Sequence, residues 1–206
     1  AIAIGAFNVV NTPVAYADSQ PGDEIVTLGE DLSVGQKNTV LENMNVNEND
    51  VQIVYVKNSE EHNYLDQYIP QAQIGTKAIS SARITLGEKG TGLVVETNNV
   101  DYITNQMYLN ALSTAGVTDA KVYITAPFDV SGTGALTGII KAYEVSSGQK
   151  IDEGQKQVAN EEMVTTAKLG ADKNIGQEKA SEFINRVKEE LTKEKPKTED
   201  DIRALI

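Results

Sequence analysis

Apolar residues recur in two rhythms along this chain, and the alternation between them predicts its elements. Ile25–Gly29 (IVTLG) is a short apolar run that reads as a buried strand. From Ser33 the spacing turns helical. Val40, Leu41 and Met44 share one face, and Ser33-Val34-Gly35-Gln36 carries the residues of a capping box. Val51–Val56 (VQIVYV) is β-branched and half alternating, the clearest strand pattern in the chain. Ser59 is then the expected cap of a short helix over Glu60–Tyr68, stopped by Pro70. Arg83–Leu86 and Leu93–Thr97 flank a stretch with three glycines, Gly87 to Gly92, a pattern that predicts a β-hairpin.

Thr104 is placed to cap the next helix, whose stripe runs through Met107, Ala111 and Ala115 beside Tyr108 and Leu112 until Gly116. Lys121–Phe128 (KVYITAPF) predicts a fifth strand, and Ala135–Val145 a buried, glycine-punctuated helix. Beyond Ser146 the pattern becomes long, charged and amphipathic over Asp152–Leu169 and Gln177–Lys193. Pro196 breaks it, and Thr198 with Asp201 opens one more helical start. The order predicts an α+β fold: a mixed sheet of about five strands with packed helices, plus a C-terminal helical extension.

The first residues follow neither rhythm. Ala1–Val10 (AIAIGAFNVV) is apolar but too short to span a bilayer, and Ala15-Tyr16-Ala17 presents the small residues that a signal peptidase accepts. Residues 1–17 are therefore expected to be the remnant of a signal peptide, residues 18–150 an α/β core domain, and residues 151–206 a helical extension cut short at its end. No stable membrane span is expected after cleavage, and the location implied is extracellular or cell envelope.

Charge narrows the partners. The 206 residues carry a net charge of −12, and the lysines alternate with glutamates, as in Lys188-Glu189-Glu190, which is the pattern of a solvated helix face. A nucleic-acid partner calls for a basic stripe instead, so none is expected. Cys and Trp are both absent, so disulfides, thiolate ligands and a cysteine nucleophile are excluded.

Several local patterns suggest chemistry. Gly132-Thr133-Gly134 follows a strand and opens a helix, with Gly138 further on, so Ser131, Gly132, Thr133 and Gly134 form the candidate anion-binding loop. Neither the third glycine spacing nor a following strand fits a dinucleotide site, and close packing of the helix on the sheet explains the same glycines. His62, the single histidine, rules out two-histidine metal sites and is expected to face solvent on a charged helix start. Asn45–Asp50 begins like a calcium loop, but Asp50 stands where glycine is needed and Val56 where the closing glutamate belongs. Ser147-Gly148-Gln149-Lys150 matches Ser-x-x-Lys without its partner motifs. Glu96, Asp101, Asp119 and Asp129 supply carboxylates for a glycosidase-like pair only if the fold brings two of them together. No catalytic residue, metal ligand or cofactor is assigned from these patterns.

One resemblance covers nearly everything after Ala17. Ile25–Ser33 (IVTLGEDLS), Tyr68-Ile69-Pro70, Ile74–Ser81 (IGTKAISS), Gly92–Thr97 (GLVVET), Met107–Leu112 (MYLNAL), Thr125–Glu144 (TAPFDVSGTGALTGIIKAYE) and Val158–Glu162 (VANEE) carry it. On these residues the chain resembles the YpuA-like family of uncharacterised secreted proteins of Gram-positive bacteria, with the run at 125–144 the most specific element. The resemblance implies an envelope or extracellular location, members that continue further at the C-terminus, and no established activity. The leading expectation is a non-catalytic protein that binds a cell-wall component or another exported protein. The alternative is an extracellular hydrolase or small-anion-binding enzyme with a novel site near residues 125–144.

Overall fold

The structure is a computed structural model, and it describes residues 20–205. The expected signal-peptide segment lies outside the described residues. The strands are β1 (Glu24–Gly29), β2 (Gln52–Val56), β3 (Ser81–Leu86), β4 (Leu93–Val100) and β5 (Ala120–Val130). The helices are α1 (Val34–Met44), α2 (Asn58–Leu65), α3 (Gln71–Ile74), α4 (Asn105–Thr114), α5 (Ala135–Ser147), α6 (Glu153–Gly170), α7 (Gln177–Glu194) and α8 (Glu199–Leu205).

The strands form one mixed sheet in the order β2-β1-β3-β5-β4. β1 and β2 pair in parallel across α1, and β4 and β5 pair in parallel across α4. β3 lies antiparallel between the two units. Four of the five strands therefore point the same way and end at one edge of the sheet. This is the fold class the periodicity predicts. The expected hairpin is not formed, because β5 separates β3 from β4. The glycine stretch instead wraps the turn before β5: the Asp119 carboxylate accepts from the Gly90 and Gly92 N–H groups, both at 2.9 Å, and the Gly87 N–H reaches the Asp119 carbonyl at 2.8 Å.

Side chains leave both faces of the sheet. On one face Ile25, Ile84, Val122 and Ile124 join Met107, Leu112, Leu136 and Ile139 from α4 and α5, and Met163 and Ala167 from α6. On the other, Val26 and Leu28 meet Val40, Leu41 and Met44 of α1. Burial of this apolar area, at roughly 25 cal/mol per Å², drives the assembly. Leu65, Ile69 and Ile74 around α2 and α3 close on Val164 of α6. α7 reaches back to α4 and α6 through Lys188, whose ammonium donates to the Asn110 carbonyl at 2.8 Å, the Thr114 hydroxyl at 2.7 Å and Glu162 at 3.1 Å.

Side-chain caps explain some of the helix starts. The Ser33 capping box and the Thr104 cap are both present. α2 differs from the expectation. It starts at Asn58, because the Lys57 N–H donates to the Glu60 carboxylate at 2.8 Å and so takes over the role assigned to Ser59. Among the described residues no helix is long and apolar enough to cross a membrane.

Candidate functional site

The chain segments that leave the carboxyl ends of β1, β2 and β5, three of the four parallel strands, lie close together. β1 is followed by Asp31, β2 by α2, and β5 by Ser131–Gly134 and α5. Crevices outside strand carboxyl ends are where open α/β sheets bind ligands. Here the crevice is a cleft of about 410 Å³, lined by Glu61, Lys77, Ser80, Ser131 and Thr133 and by the backbone of Gly132 and Gly134.

The candidate loop is locked from below. Gly132 has φ +83° and offers no room for a side chain between Tyr108 and Val100. The fully buried Tyr108 hydroxyl donates to the Gly132 carbonyl at 2.5 Å. Ser131 and Thr133 place their hydroxyl oxygens 3.3 Å apart, with Thr133 buried. Further along α5, a Cβ at Gly138 would meet Val56 at 2.9 Å, so this glycine lets the helix approach the sheet closely.

Glu61 lies against this loop. Its carboxyl group packs so closely on Gly134 that no Cβ fits there, and the residue is only 4% exposed. The Asn58 amide donates to it at 3.2 Å. Burial pushes the Glu61 carboxyl up to about 7, with the charges of Asp31 and Glu60 adding to the rise, while the Asn58 bond and the His62 charge oppose it. A carboxyl that titrates near neutrality in a strand-end cleft is an uncommon group and marks a site candidate. A ligand that reaches Gly134 meets this carboxyl first.

His62 does not project freely into solvent. Its Nδ1 stands 2.6 Å from Asp66 and its Nε2 3.0 Å from the Gly75 carbonyl. Both partners are acceptors, so the doubly protonated ring satisfies both bonds, and the Asp66 bond followed by the Gly75 bond raises the imidazole above its ordinary value. The ring still faces solvent in part, with 21% of its side chain exposed, and the Gly75 carbonyl at the end of α3 covers one side.

A second cleft, of about 720 Å³, opens beside the end of β4, between the start of α4 and the first half of α7. Asp101, Asn105, Gln106, Glu178, Glu182 and Asn185 give it a carboxylate- and amide-rich wall. α7 leaves part of its apolar stripe uncovered nearby: Phe183 is exposed, and Ile184, Val187 and Leu191 are half-buried.

The remaining sequence candidates have local roles. Glu96 faces Lys121 at 3.9 Å, Asp119 holds the glycine loop, Asp129 is exposed on β5, and Asp101 lines the second cleft. The Ser147 hydroxyl donates to the Tyr143 carbonyl at 2.6 Å. Asn45 is the left-handed cap of α1, and the Asn47 side chain accepts from the Asn49 N–H at 3.0 Å, which makes this segment a helix-to-strand turn. Among the described residues no three His, Asp or Glu side chains gather as metal ligands. Sequence reasoning missed Glu61, although one signal was present: it lies four residues before the apolar Leu65, on the buried face of α2.

Comparison with known proteins gives the lineage. A family model described as "Protein of unknown function (DUF1002)" matches residues 28–206. The uncharacterized protein YpuA of Bacillus subtilis (strain 168) is 61% identical over 180 residues, which is 87% of this chain and 61% of that relative. The chain thus spans less than two thirds of that relative's length. No solved structure matches. The family match over residues 28–206 includes the Glu61 helix and the Ser131–Gly134 loop, and the chain belongs to the DUF1002 family.

Proposed function

We propose that this chain is exported and acts at the cell envelope as a non-catalytic binding protein for a wall component. The observation that carries this reading is the cleft of about 720 Å³ between α4 and α7. Its wall combines three carboxylates (Asp101, Glu178 and Glu182) with the amides of Asn105, Gln106, Gln177 and Asn185 and the hydroxyls of Thr97, Thr104 and Ser181. Such a surface suits a ligand rich in hydroxyl, acetamido or amine groups, because carboxylates accept from hydroxyl and ammonium donors and amides both donate and accept. A wall glycan has that chemistry. The volume lies within the range of ligand clefts, about 300–1,000 Å³. The apolar run and the Ala15-Tyr16-Ala17 signal support export.

Co-sedimentation with purified Gram-positive cell walls tests the reading, with soluble fragments assayed in the same tubes. Saturable binding without fragment release, weakened about tenfold in a Glu178→Ala, Asn185→Ala double variant, is the expected result. Fragment release overturns the non-catalytic assignment. Absence of binding overturns the wall ligand and turns the search to an exported protein.

A further inference from the structure

The strand-end cleft holds one acid and one base that do not neutralise each other. Among the described residues Glu61 is its only lining carboxylate and Lys77 its only lining cation. Elsewhere in this structure such groups close on one another: Lys141 on Glu60 at 2.7 Å, Lys156 on Glu144 at 2.9 Å, Lys188 on Glu162 at 3.1 Å. Glu61 makes its side-chain hydrogen bond to a neutral amide, and Lys77 is exposed and in no ion pair among the described residues. The other lining side chains are neutral, namely the hydroxyls of Thr76, Ser80, Ser131 and Thr133, the Gln73 amide and the apolar Ile74, Ile79 and Val130.

This charge pattern discriminates among ligands. A simple anion gains Lys77 and the hydroxyls but approaches the Glu61 carboxylate. A simple cation gains Glu61 but approaches Lys77. A molecule that carries both an ammonium and a carboxylate satisfies each group with its opposite. The neutral hydroxyls of Ser131 and Thr133 offer further donors to the ligand carboxylate. About 410 Å³ leaves room for a side chain or a second residue beyond the two charged ends.

We infer that this cleft binds a small zwitterion, a free amino acid or the end of a short peptide, with the ligand ammonium on Glu61 and its carboxylate on Lys77 and the Ser131 hydroxyl. The site is separate from the α4–α7 cleft, so it stands or falls independently of wall binding. Glu61 must be ionised to pair with the ammonium. It is partly protonated near pH 7, so binding releases protons. The charged and titratable groups around it are Asp31 after β1, Glu60 and His62 on α2, Tyr108 under the loop from α4, and Lys77 across the cleft.

Isothermal titration of the full chain at pH 7 tests this with alanine and alanyl-alanine of both hands, and with acetate and ethylammonium as half-ligands. The expected result is saturable binding of at least one zwitterion, about tenfold or more tighter than either half-ligand. Its heat should change with the ionisation enthalpy of the buffer. Glu61→Gln and Lys77→Gln should each weaken it about tenfold or more. Lys77 is exposed, so its variant keeps the fold; circular dichroism verifies this for both. Equal binding of acetate or ethylammonium, unchanged affinity in either variant, or no saturable response to any zwitterion overturns the inference.

Discussion

Replacing Glu61 by Gln isolates the energetic consequence of burying a carboxyl at the sheet edge. The folded protein holds this group at about 7, against an ordinary value of 4.5. Below pH 4.5 the group is protonated in both folded and unfolded chains and contributes no pH dependence. Between 4.5 and 7 the unfolded chain releases its proton while the folded protein retains it, so stability falls as pH rises. Above 7 both states are ionised and the loss is complete. The interval of 2.5 pH units (7 − 4.5), at 1.36 kcal/mol each, gives a loss of about 3 kcal/mol. Glutamine keeps the shape and cannot ionise, so Glu61→Gln should lack this loss. The other titrating groups are common to both proteins, and their contributions largely cancel in the difference. Urea unfolding followed by far-ultraviolet circular dichroism suits a protein without Trp. The variant should gain about 3 kcal/mol on the native protein between pH 4 and pH 8, nearly all of it between pH 4.5 and 7. A difference that stays constant across that range would refute the burial argument, because it would mean that Glu61 titrates alike in both states.

Other positions give equally direct tests. At Gly29 an added Cβ would stand 2.2 Å from the Ala78 carbonyl oxygen, which is backbone and cannot rotate away, so Gly29→Ala should cost about 2 kcal/mol or more in urea unfolding. Asp119→Ala removes the acceptor for the Gly90 and Gly92 N–H groups, and hydrogen exchange at those two amides should accelerate while β3 and β5 stay protected. His62 has a raised imidazole value, so its stabilising contribution is full below about 6.5 and fades as pH rises through the folded value. The destabilisation caused by His62→Ala should therefore be greater at pH 5.5 than at pH 9. Leu136 is fully buried, and Leu136→Ala should cost about 2–5 kcal/mol, whereas the exposed Phe183 should tolerate Ala within about 0.5 kcal/mol.

Periodicity located all five strands and the main helices because each rests on a local pattern of burial. It failed where the determinant was distant in sequence. Gly87–Gly92 has the composition of a hairpin turn, yet its glycines answer to Asp119, and only the arrival of β5 reveals why β3 and β4 do not pair. The start of α2 failed for a different reason. Ser59 is the better cap by residue type, but Glu60 can reach back to the Lys57 N–H and fix the helix two residues earlier. The charged run concealed the burial of Glu61 and the two acceptors that hold His62. Both sit in a polar run with Glu60, and burial of Glu61 requires α5 and its Gly134, 73 positions later, to present a face without a Cβ.

That face sharpens the meaning of Glu61. A fold that needed only a filler against Gly134 would lose nothing with an amide, which hydrogen-bonds without ionising. Keeping a carboxyl there costs about 3 kcal/mol at neutral pH. A helix clip would justify that cost only if Glu61 held a strong partner, and its side-chain hydrogen bond is to the Asn58 amide at 3.2 Å. The cost is instead recovered when a cationic group enters the cleft and pairs with the ionised form. Two measurements on one variant separate these roles. If Glu61→Gln is more stable above pH 7 and also loses zwitterion binding, the carboxyl is held for its ligand. If it is more stable and binds unchanged, Glu61 is a structural residue and the zwitterion site is wrong.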